Sequence, residues 1–350
     1  MDIKRFLIDE NASILDALDH LNSFKKEDDL SRLVLFVISK DKVIGSITDG
    51  DIRRHLIKEK NLNSKVRDVC NHDFLYLDEF SGYCNFNKYR DANLLILPVL
   101  NKDKTISRII DLGKTRSELP LDCLLMAGGR GKRLSPLTDE IPKPLLKLAN
   151  KPIIEYNIDR LIEFGVRKIQ ISLGYLGEQI QDYFGDGSSK DIEISYIKET
   201  KPLGTAGALS LIEKLNHQHI LLMNGDLYTN IDFESMYLNL IKSGSEMILA
   251  SRNYKVDVPY GVFSTDGNEL REFNEKPSFN YNVNAGIYIL SKSSLNQIPK
   301  DTYYDINELI NYRLENKAKL TNYPINGYWI DIGNPEDYKS AQDLINYSKL

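Results

Sequence analysis

From residue 122 onward the chain alternates short apolar runs with segments whose apolar residues recur at helical spacing. CLLMA (123–127), KIQISLGY (168–175), HILLMNGDL (219–227) and EMILAS (246–251) read as strands. PIIEYNIDRLIEFGV (152–166) and AGALSLIEKL (206–215) read as helices. That rhythm predicts a mostly parallel sheet with helices on both faces. Ligands of such sheets bind at the carboxyl ends of strands, where strand order reverses. YGVFS (260–264) and NAGIYIL (284–290) read as later strands that add a substrate-binding lobe.

The first third has a different texture. LVLFVISKDKVIGSITDGDIRR (33–54) aligns with LLILPVLNKDKTISRIIDLGKTR (94–116), the Lys-Asp-Lys turn at Lys40 recurring 62 residues later at Lys102. Each copy offers an apolar strand, the turn, a second strand and then a helix start or a polar end. SILDALDHLNSF (13–24) precedes the first copy as a helix. The repeat predicts two pseudo-symmetric α/β halves packed as one small domain. SELPLD (117–122) reads as a linker, so the expected division is a module over 1–118 and a second domain over 121–350.

A chain of 350 residues has room for two domains, and its net charge of −5 argues against a nucleic-acid binder driven by bulk charge. Cys70, Cys84 and Cys123 are few, odd in number and lack metal-ligand spacing, which predicts reduced intracellular thiols. MDIKRFLIDENASI at the N-terminus holds no apolar run of signal-peptide length, and no stretch approaches the length of a membrane span. A cytoplasmic protein with no membrane partner is expected. His20, His55, His72, His217 and His219 match no motif and read as structural.

MAGGRGKRLSPLTDEIPKPL (126–145) is the stretch richest in chemistry. Gly128, Gly129 and Gly131 alternate with Arg130, Lys132 and Arg133 directly after a buried strand. Glycine lets backbone approach a ligand, and the exposed amides of such a turn form an anion nest. Between Gly128 and Lys151 stand six basic and two acidic residues, a local positive excess on an acidic chain. The loop is neither a Walker A motif, since Arg133 follows Gly131-Lys132, nor a G-x-G-x-x-G fingerprint, since position 134 is Leu. It predicts a polyphosphate site of another type, against the alternative of a solvated basic turn.

GGRGKRLSPLTDEIPKPLL closely resembles the signature of sugar-1-phosphate nucleotidyltransferases. LGTAGAL (203–209), NGD (224–226), YGV (260–262), FNEKP (273–277), NAGIY (284–288) and WIDIGNPEDY (329–338) follow in that family's order, with Lys132 departing where the family usually has Thr. The resemblance implies an α/β fold with a Rossmann-like, mostly parallel mixed sheet of the GT-A-like kind. It also implies a reaction in which a sugar 1-phosphate attacks a nucleoside triphosphate and releases pyrophosphate. The attacking phosphate oxygen is already ionised, so positioning and charge neutralisation dominate and no general base is needed.

By the same resemblance Arg133 would hold the triphosphate, Lys143 would reach the phosphates near the reacting centre, and Lys276 would contact the sugar phosphate. Ala127, Gly128, Gly129, Gly131, Gly204 and Thr205 would contact the nucleotide. Tyr260, Gly261, Glu275, Asn284 and Gly286 would contact the sugar. Asp226 and Asp331 would be ligands of Mg²⁺, which keeps waters and phosphate oxygens as its other partners. Family members that use thymidine or uridine nucleotides commonly carry Gln where this chain has Glu199. A carboxylate only accepts, and guanine presents N1–H and an N2 amino group side by side, so GTP is favoured over UTP, dTTP or CTP. PLGTAGAL (202–209) also resembles the mannose- and heptose-1-phosphate guanylyltransferases. A second class of reading, a regulatory protein that binds nucleotide sugars without turnover, would be favoured by loss of Arg133, Lys143 or Asp226, and all three are present.

GSITDGDIRR (45–54) resembles the end of a CBS motif, and the repeat then makes a CBS pair. That resemblance implies an adenine-nucleotide pocket at Thr48 and Asp51, at most one such pocket because Ile110 and Gly113 occupy the second-copy positions, and a homo-oligomer. A purely structural or dimerising pair is the alternative. A repeat module ahead of this transferase resembles the arrangement of the glucosamine-1-phosphate guanylyltransferases of legionaminic-acid synthesis, implying GTP and glucosamine 1-phosphate as substrates.

Overall fold

The repeat in the first third becomes a repeat in topology. The structure, a computed structural model, describes residues 3–24, 34–79, 81–199 and 201–347. Leu33 of the first repeat copy and the tail 348–350 lie outside these residues. The chain divides into two compact units, Met1–Glu118 and Leu119–Leu350.

In the first unit β1 (Leu7–Asp9), α1 (Ile14–Ser23), β2 (Val34–Ser39), β3 (Lys42–Thr48) and α2 (Asp49–Glu59) form one half. β4 (Leu77–Asp78), β5 (Ile96–Leu100) and β6 (Ile106–Asp111) form the other. Each half is a three-stranded sheet in which the first strand pairs parallel with the second and the second pairs antiparallel with the third. Ile8, Ile14, Leu35, Ile47 and Ile52 fill one half, and Phe86, Leu97, Val99 and Ile110 the other. Phe36, Val43, Ile96 and Leu100 share a third cluster drawn from both halves. The halves differ after their hairpins. Thr48 and Asp51 form a reciprocal capping box that starts α2, Thr48 Oγ1 donating to Asp51 Oδ2 at 2.6 Å and the Asp51 amide to Thr48 Oγ1 at 3.3 Å. Ile110, within β6, and Gly113, just beyond it, hold the equivalent places, offer no capping oxygen, and the chain turns instead of entering a helix.

The second unit contains β7 (Leu121–Ala127), α3 (Ile153–Glu163), β8 (Lys168–Leu173), α4 (Gly177–Phe184), β9 (Glu193–Lys198), β10 (His219–Asn224), β11 (Leu227–Thr229), α5 (Phe233–Ser243), β12 (Met247–Asp257), β13 (Val262–Asp266), β14 (Glu269–Asn274), β15 (Ser278–Ser291), α6 (Ile306–Glu315), β16 (Leu320–Pro324), β17 (Trp329–Asp331) and α7 (Pro335–Tyr347). Its main sheet has seven strands in the order β9-β8-β7-β10-β15-β12-β16. Every strand runs the same way except β15, which is antiparallel to both neighbours, so the sheet is mixed and mostly parallel. The chain steps outward from β7 through β8 to β9, then crosses back to place β10 on the other side of β7. That reversal opens a crevice at the carboxyl ends of β7 and β10.

Two segments depart from the sequence reading. AGALSLIEKL does not form one helix: an α-turn over Gly204–Gly207 passes into a 3-10 turn over Ala208–Leu211 and ends. The amides of Ala206 and Gly207 donate to the Tyr304 carbonyl, which holds the turn against a neighbouring segment. NAGIYIL belongs to no separate lobe. It is the buried half of β15, with Ala285, Ile287, Tyr288, Ile289 and Leu290 packed between β10 and β12. The projecting part of this unit is built from the far halves of β12 and β15 and the β13–β14 hairpin.

α3 buries Ile153, Ile154, Ile158 and Leu161, and with them Asn157. Asn157 Nδ2 donates to the Leu227 carbonyl at 2.9 Å and the Gly225 carbonyl at 3.4 Å, holding the turn that carries Asp226. Asn157→Ala leaves buried carbonyls unpartnered and should destabilise the second unit by about 1–3 kcal/mol. Trp329, the single tryptophan, lies in this unit and reports its unfolding by fluorescence. An unchanged urea midpoint would show that the two bonds contribute nothing.

Candidate active site

The loop after β7 is shaped by what its glycines touch. A Cβ on Gly174, just beyond β8, would lie 2.4 Å from the Gly128 carbonyl oxygen, so the two loop backbones touch with no room for a side chain. Gly131 adopts φ +64° and starts the 3-10 turn Lys132–Leu134, and Thr138 Oγ1 donates to its carbonyl at 2.9 Å. Ala127 ends β7, buried against β8. Arg130 lies 5.3 Å from the centre of the Tyr175 ring, whose hydroxyl donates to the Asp139 carbonyl at 2.8 Å.

A cleft of about 590 Å³ opens over this floor. Gly128, Gly129, Glu199, Gly204, Thr205 and Asp226 line it, bringing together residues from the three connections that follow β7, β9 and β10. Its walls also include Met126, Tyr175, Lys201, Asn224 and Tyr303, none nominated from the sequence. Tyr175 and Asn224 stand at the ends of β8 and β10, so the strand-end rule could have found them. Tyr303 carries no sequence signal.

Glu199 follows β9 with its carboxylate already oriented. Ser172 Oγ donates to Oε1, and the Leu203 amide donates to Oε2 at 2.9 Å. A carboxylate has about four acceptor positions, so capacity remains toward the cleft.

Asp226 and Asp331, 105 positions apart, are joined by secondary structure. β11 pairs antiparallel with β17 so that Leu227, next to Asp226, sits opposite Asp331, and the Ile332 amide donates to the Asp226 carbonyl at 3.2 Å. Lys143, 9% exposed in the 3-10 turn Lys143–Leu145, inserts its ammonium at this pair. It donates to Asp226 Oδ2 and lies 3.8 Å from Asp331 Oδ1. The sequence reading sent Lys143 to phosphates; here it neutralises the two carboxylates. Burial, then the charge of Asp226, push the Asp331 carboxyl above the usual range, and Lys143 and Arg133 oppose the rise. A Cβ added to Gly333, two residues after Asp331, would meet the Arg133 guanidinium at 3.5 Å, so Arg133 lies close to this turn.

Asp331 Oδ1 is buried with no hydrogen-bond partner among the described residues. An orphaned carboxylate oxygen beside a second carboxylate suits a hard cation with oxygen ligands. No group of three or more His, Cys, Asp or Glu is placed to hold a metal among the described residues, so this pair would need phosphate oxygens and waters to complete the shell.

The remaining nominated residues are dispersed. Asn284 Oδ1 accepts from the Gly286 amide at 3.0 Å and from Tyr288 Oη at 2.8 Å, on β15 beside Asn224. Tyr260, Gly261, Glu275 and Lys276 sit at the far end of the projecting ribbon, outside the cleft lining, with Tyr260 74% exposed. Thr48 and Asp51 line a cleft of about 660 Å³ in the first unit, where Arg54 also pairs with Asp51 at 2.5 Å. Cys70, Cys84 and Cys123 are free thiols. No helix is long and apolar enough to cross a membrane among the described residues.

The charge on Asp331 opposes folding. Above its raised folded pKa the carboxylate is charged in a site that disfavours it; the penalty fades as pH falls through that value. Asp331→Asn should therefore melt about 1–3 °C above the wild type at neutral pH, with the gap closing toward pH 4. A lower melting temperature at neutral pH would mean that Lys143 and Arg133 more than offset burial.

Residues 122–347 match the nucleotidyl transferase family. The chain is 30% identical over 229 residues to D-glycero-α-D-manno-heptose 1-phosphate guanylyltransferase from Aneurinibacillus thermoaerophilus, covering 65% of this chain and 99% of that one. It is 31% identical to the mannose-1-phosphate guanylyltransferase catalytic subunit beta of Drosophila melanogaster, spanning 63% of this chain and 62% of the relative's length. A solved structure assigned provisionally as a glucose-1-phosphate thymidylyltransferase from Bacillus anthracis, crystallised with sucrose, superposes with a TM-score of 0.53 at 22% identity. It covers 64% of this chain and 94% of that one, a likeness of fold alone.

Proposed function

The chain belongs to the nucleotidyl transferase family and is a nucleotidyltransferase, and from that premise we propose that it transfers a guanylyl group from GTP to a sugar 1-phosphate. One observation carries the reading: Gly128 and Gly129, the fixed carboxylate of Glu199, and Asp226 line one cleft at the strand-order reversal, with Asp331 brought next to Asp226 by the β11–β17 pairing. The names of the heptose and mannose relatives support guanine as the base. Glucosamine 1-phosphate is the sugar substrate we favour, supported by the repeat module ahead of the transferase unit.

In this reaction an ionised phosphate oxygen of the sugar 1-phosphate attacks the α-phosphorus of GTP. A P–O bond forms there, the bond to the bridging oxygen of the β-phosphate breaks, and pyrophosphate leaves with that electron pair. The amides of Gly128, Gly129 and Gly131 would face the triphosphate, with Ala127, Gly204 and Thr205 bounding the nucleotide. Arg133 would bind the departing pyrophosphate. Glu199, held by Ser172 and the Leu203 amide, would accept from N1–H and the N2 amino group of guanine. Asp226 and Asp331 would hold Mg²⁺, which supplies charge neutralisation at the phosphates when bound. The Lys143 ammonium, which otherwise answers the pair, would then be freed to turn toward phosphate oxygens. Asn284 and Gly286 would meet the sugar. Tyr260, Gly261, Glu275 and Lys276 reach it only if the ribbon end approaches the cleft.

Pyrophosphate release on mixing the protein with Mg²⁺, each of GTP, UTP, dTTP and CTP, and a panel of sugar 1-phosphates tests the proposal. GTP with glucosamine 1-phosphate should give the highest kcat/KM. Glu199→Gln should cut the GTP-to-UTP ratio of kcat/KM by roughly 10- to 100-fold, the worth of hydrogen bonds to a charged group. An unchanged ratio removes the base assignment, and no release with any pair leaves the regulatory reading.

For the first unit we propose a CBS pair with one adenine-nucleotide pocket at Thr48 and Asp51. It is supported by the repeated topology and by the cleft that both residues line. AMP, ADP and ATP should raise the melting temperature of the wild type, and Thr48→Val should remove the shift. If none of the three shifts it, the unit serves packing or assembly alone.

A further inference from the structure

Leu203 ties two parts of the cleft wall together. Its amide donates to Glu199 Oε2 at 2.9 Å, and its carbonyl accepts from the Tyr304 amide at 2.8 Å. The segment 302–304 therefore runs against the turn that follows Glu199. Two glycines permit that approach. A Cβ on Gly204, which adopts φ +75°, would lie 2.9 Å from the Tyr304 carbonyl oxygen, and one on Gly207 would lie 2.9 Å from the Thr302 carbonyl oxygen. The Ala206 and Gly207 amides donate to that same Tyr304 carbonyl at 3.1 and 2.8 Å. At the edge of the contact Lys201 Nζ pairs with Asp301 Oδ1 at 3.2 Å.

Tyr303 stands in the middle of this segment, so its backbone is fixed relative to the Glu199 carboxylate. Its two neighbours are spent on the contact, and the Tyr304 ring packs against the apolar cluster that includes Leu209, Tyr288 and Ile306. Tyr303 lines the cleft instead, 59% exposed, its hydroxyl without a hydrogen-bond partner among the described residues. The other tyrosine of the cleft is committed elsewhere. Arg130 covers the Tyr175 ring, and the Tyr175 hydroxyl is bound to the Asp139 carbonyl. Tyr303 is thus an aromatic surface that folding leaves in water, held beside a carboxylate that is itself held by two donors.

We propose that Tyr303 is a specificity-determining residue whose ring stacks on the purine of the bound nucleotide while Glu199 accepts from the purine's edge; the inference rests on the guanylyl-transfer reading given above. A planar base offers an aromatic ring a π-face, and offset stacking buries both surfaces. A two-ring purine overlaps a tyrosine over more area than a one-ring pyrimidine does, so the contact favours GTP over UTP independently of hydrogen bonding. Position selects the base rather than the sugar as the group stacked. Leu203 connects Tyr303 to Glu199, whereas Asn284 and Gly286, the residues assigned to the sugar, belong to β15.

Steady-state kinetics and equilibrium binding of GTP and UTP to the full chain test the inference. Tyr303→Ser should raise both KM and Kd for GTP roughly 10-fold, the worth of one stacked base, and those for UTP by less. Its kcat and its KM for the sugar 1-phosphate should not move, and neither should its melting temperature, because the side chain it loses is exposed. Tyr303→Phe keeps the ring and should match the wild type throughout. Should the serine variant misfold, Tyr303→Leu, which keeps apolar bulk without a π-face, is expected to weaken GTP in the same direction. A folded Tyr303→Ser with unchanged Kd for GTP, or with a raised KM for the sugar alone, would overturn the inference and leave GTP as the donor. A wild type that binds UTP as tightly as GTP, seen before any variant is made, would remove the guanine reading and this inference with it.

Discussion

A single ammonium between two carboxylates organises the catalytic unit. Lys143 is almost fully buried, and its charge would be costly there without Asp226 and Asp331. The carboxylates in turn are held near each other only because β11 and β17 pair, and because Asn157 ties the turn before β11 to α3. Asp331 remains under tension: burial and its neighbour raise it, while Lys143 and Arg133 only partly compensate. A site assembled this way has its positive charge built in.

The sequence made the scaffold legible wherever periodicity was strong. β7, α3, β8 and β10 follow from apolar spacing alone and their alternation with helices predicts the mostly parallel sheet, whereas the point of strand-order reversal is visible only in the pairing of β7 with both β8 and β10. AGALSLIEKL misled because its spacing is helical while its amides are taken by the Tyr304 carbonyl, a partner about a hundred positions away that local pattern cannot reveal. NAGIYIL misled in the other direction, since a central strand and a lobe strand share the same apolar run, and only pairing with β10 and β12 distinguishes them. The motif residues Gly128, Glu199, Gly204 and Asp226 meet at one cleft, whereas Tyr260, Glu275 and Lys276 stand apart from it on the ribbon. Motif order along a chain therefore told which residues matter together better than it told which of them touch.

In the first unit one pair of residues does double duty. Thr48 and Asp51 cap α2, a sufficient physical reason for their presence, and the same side chains line a cleft. The absence of both from the second copy removes the helix and the polar rim at once. Internal symmetry in this unit is thus broken by two substitutions at one structural locus.

The contact between Gly128 and Gly174 limits how this site can vary. A Cβ on Gly174 would lie 2.4 Å from the Gly128 carbonyl oxygen, whereas one on Gly128 would meet Gly174 N at 3.3 Å, so Gly174 admits no methyl group and the floor of the cleft is tightly constrained there. Variation in what the cleft accepts is then left to its rim, where Glu199, Lys201 and Tyr303 stand over that floor. Descendants of such a scaffold can change clientele by repainting the walls while the ground beneath stays bare.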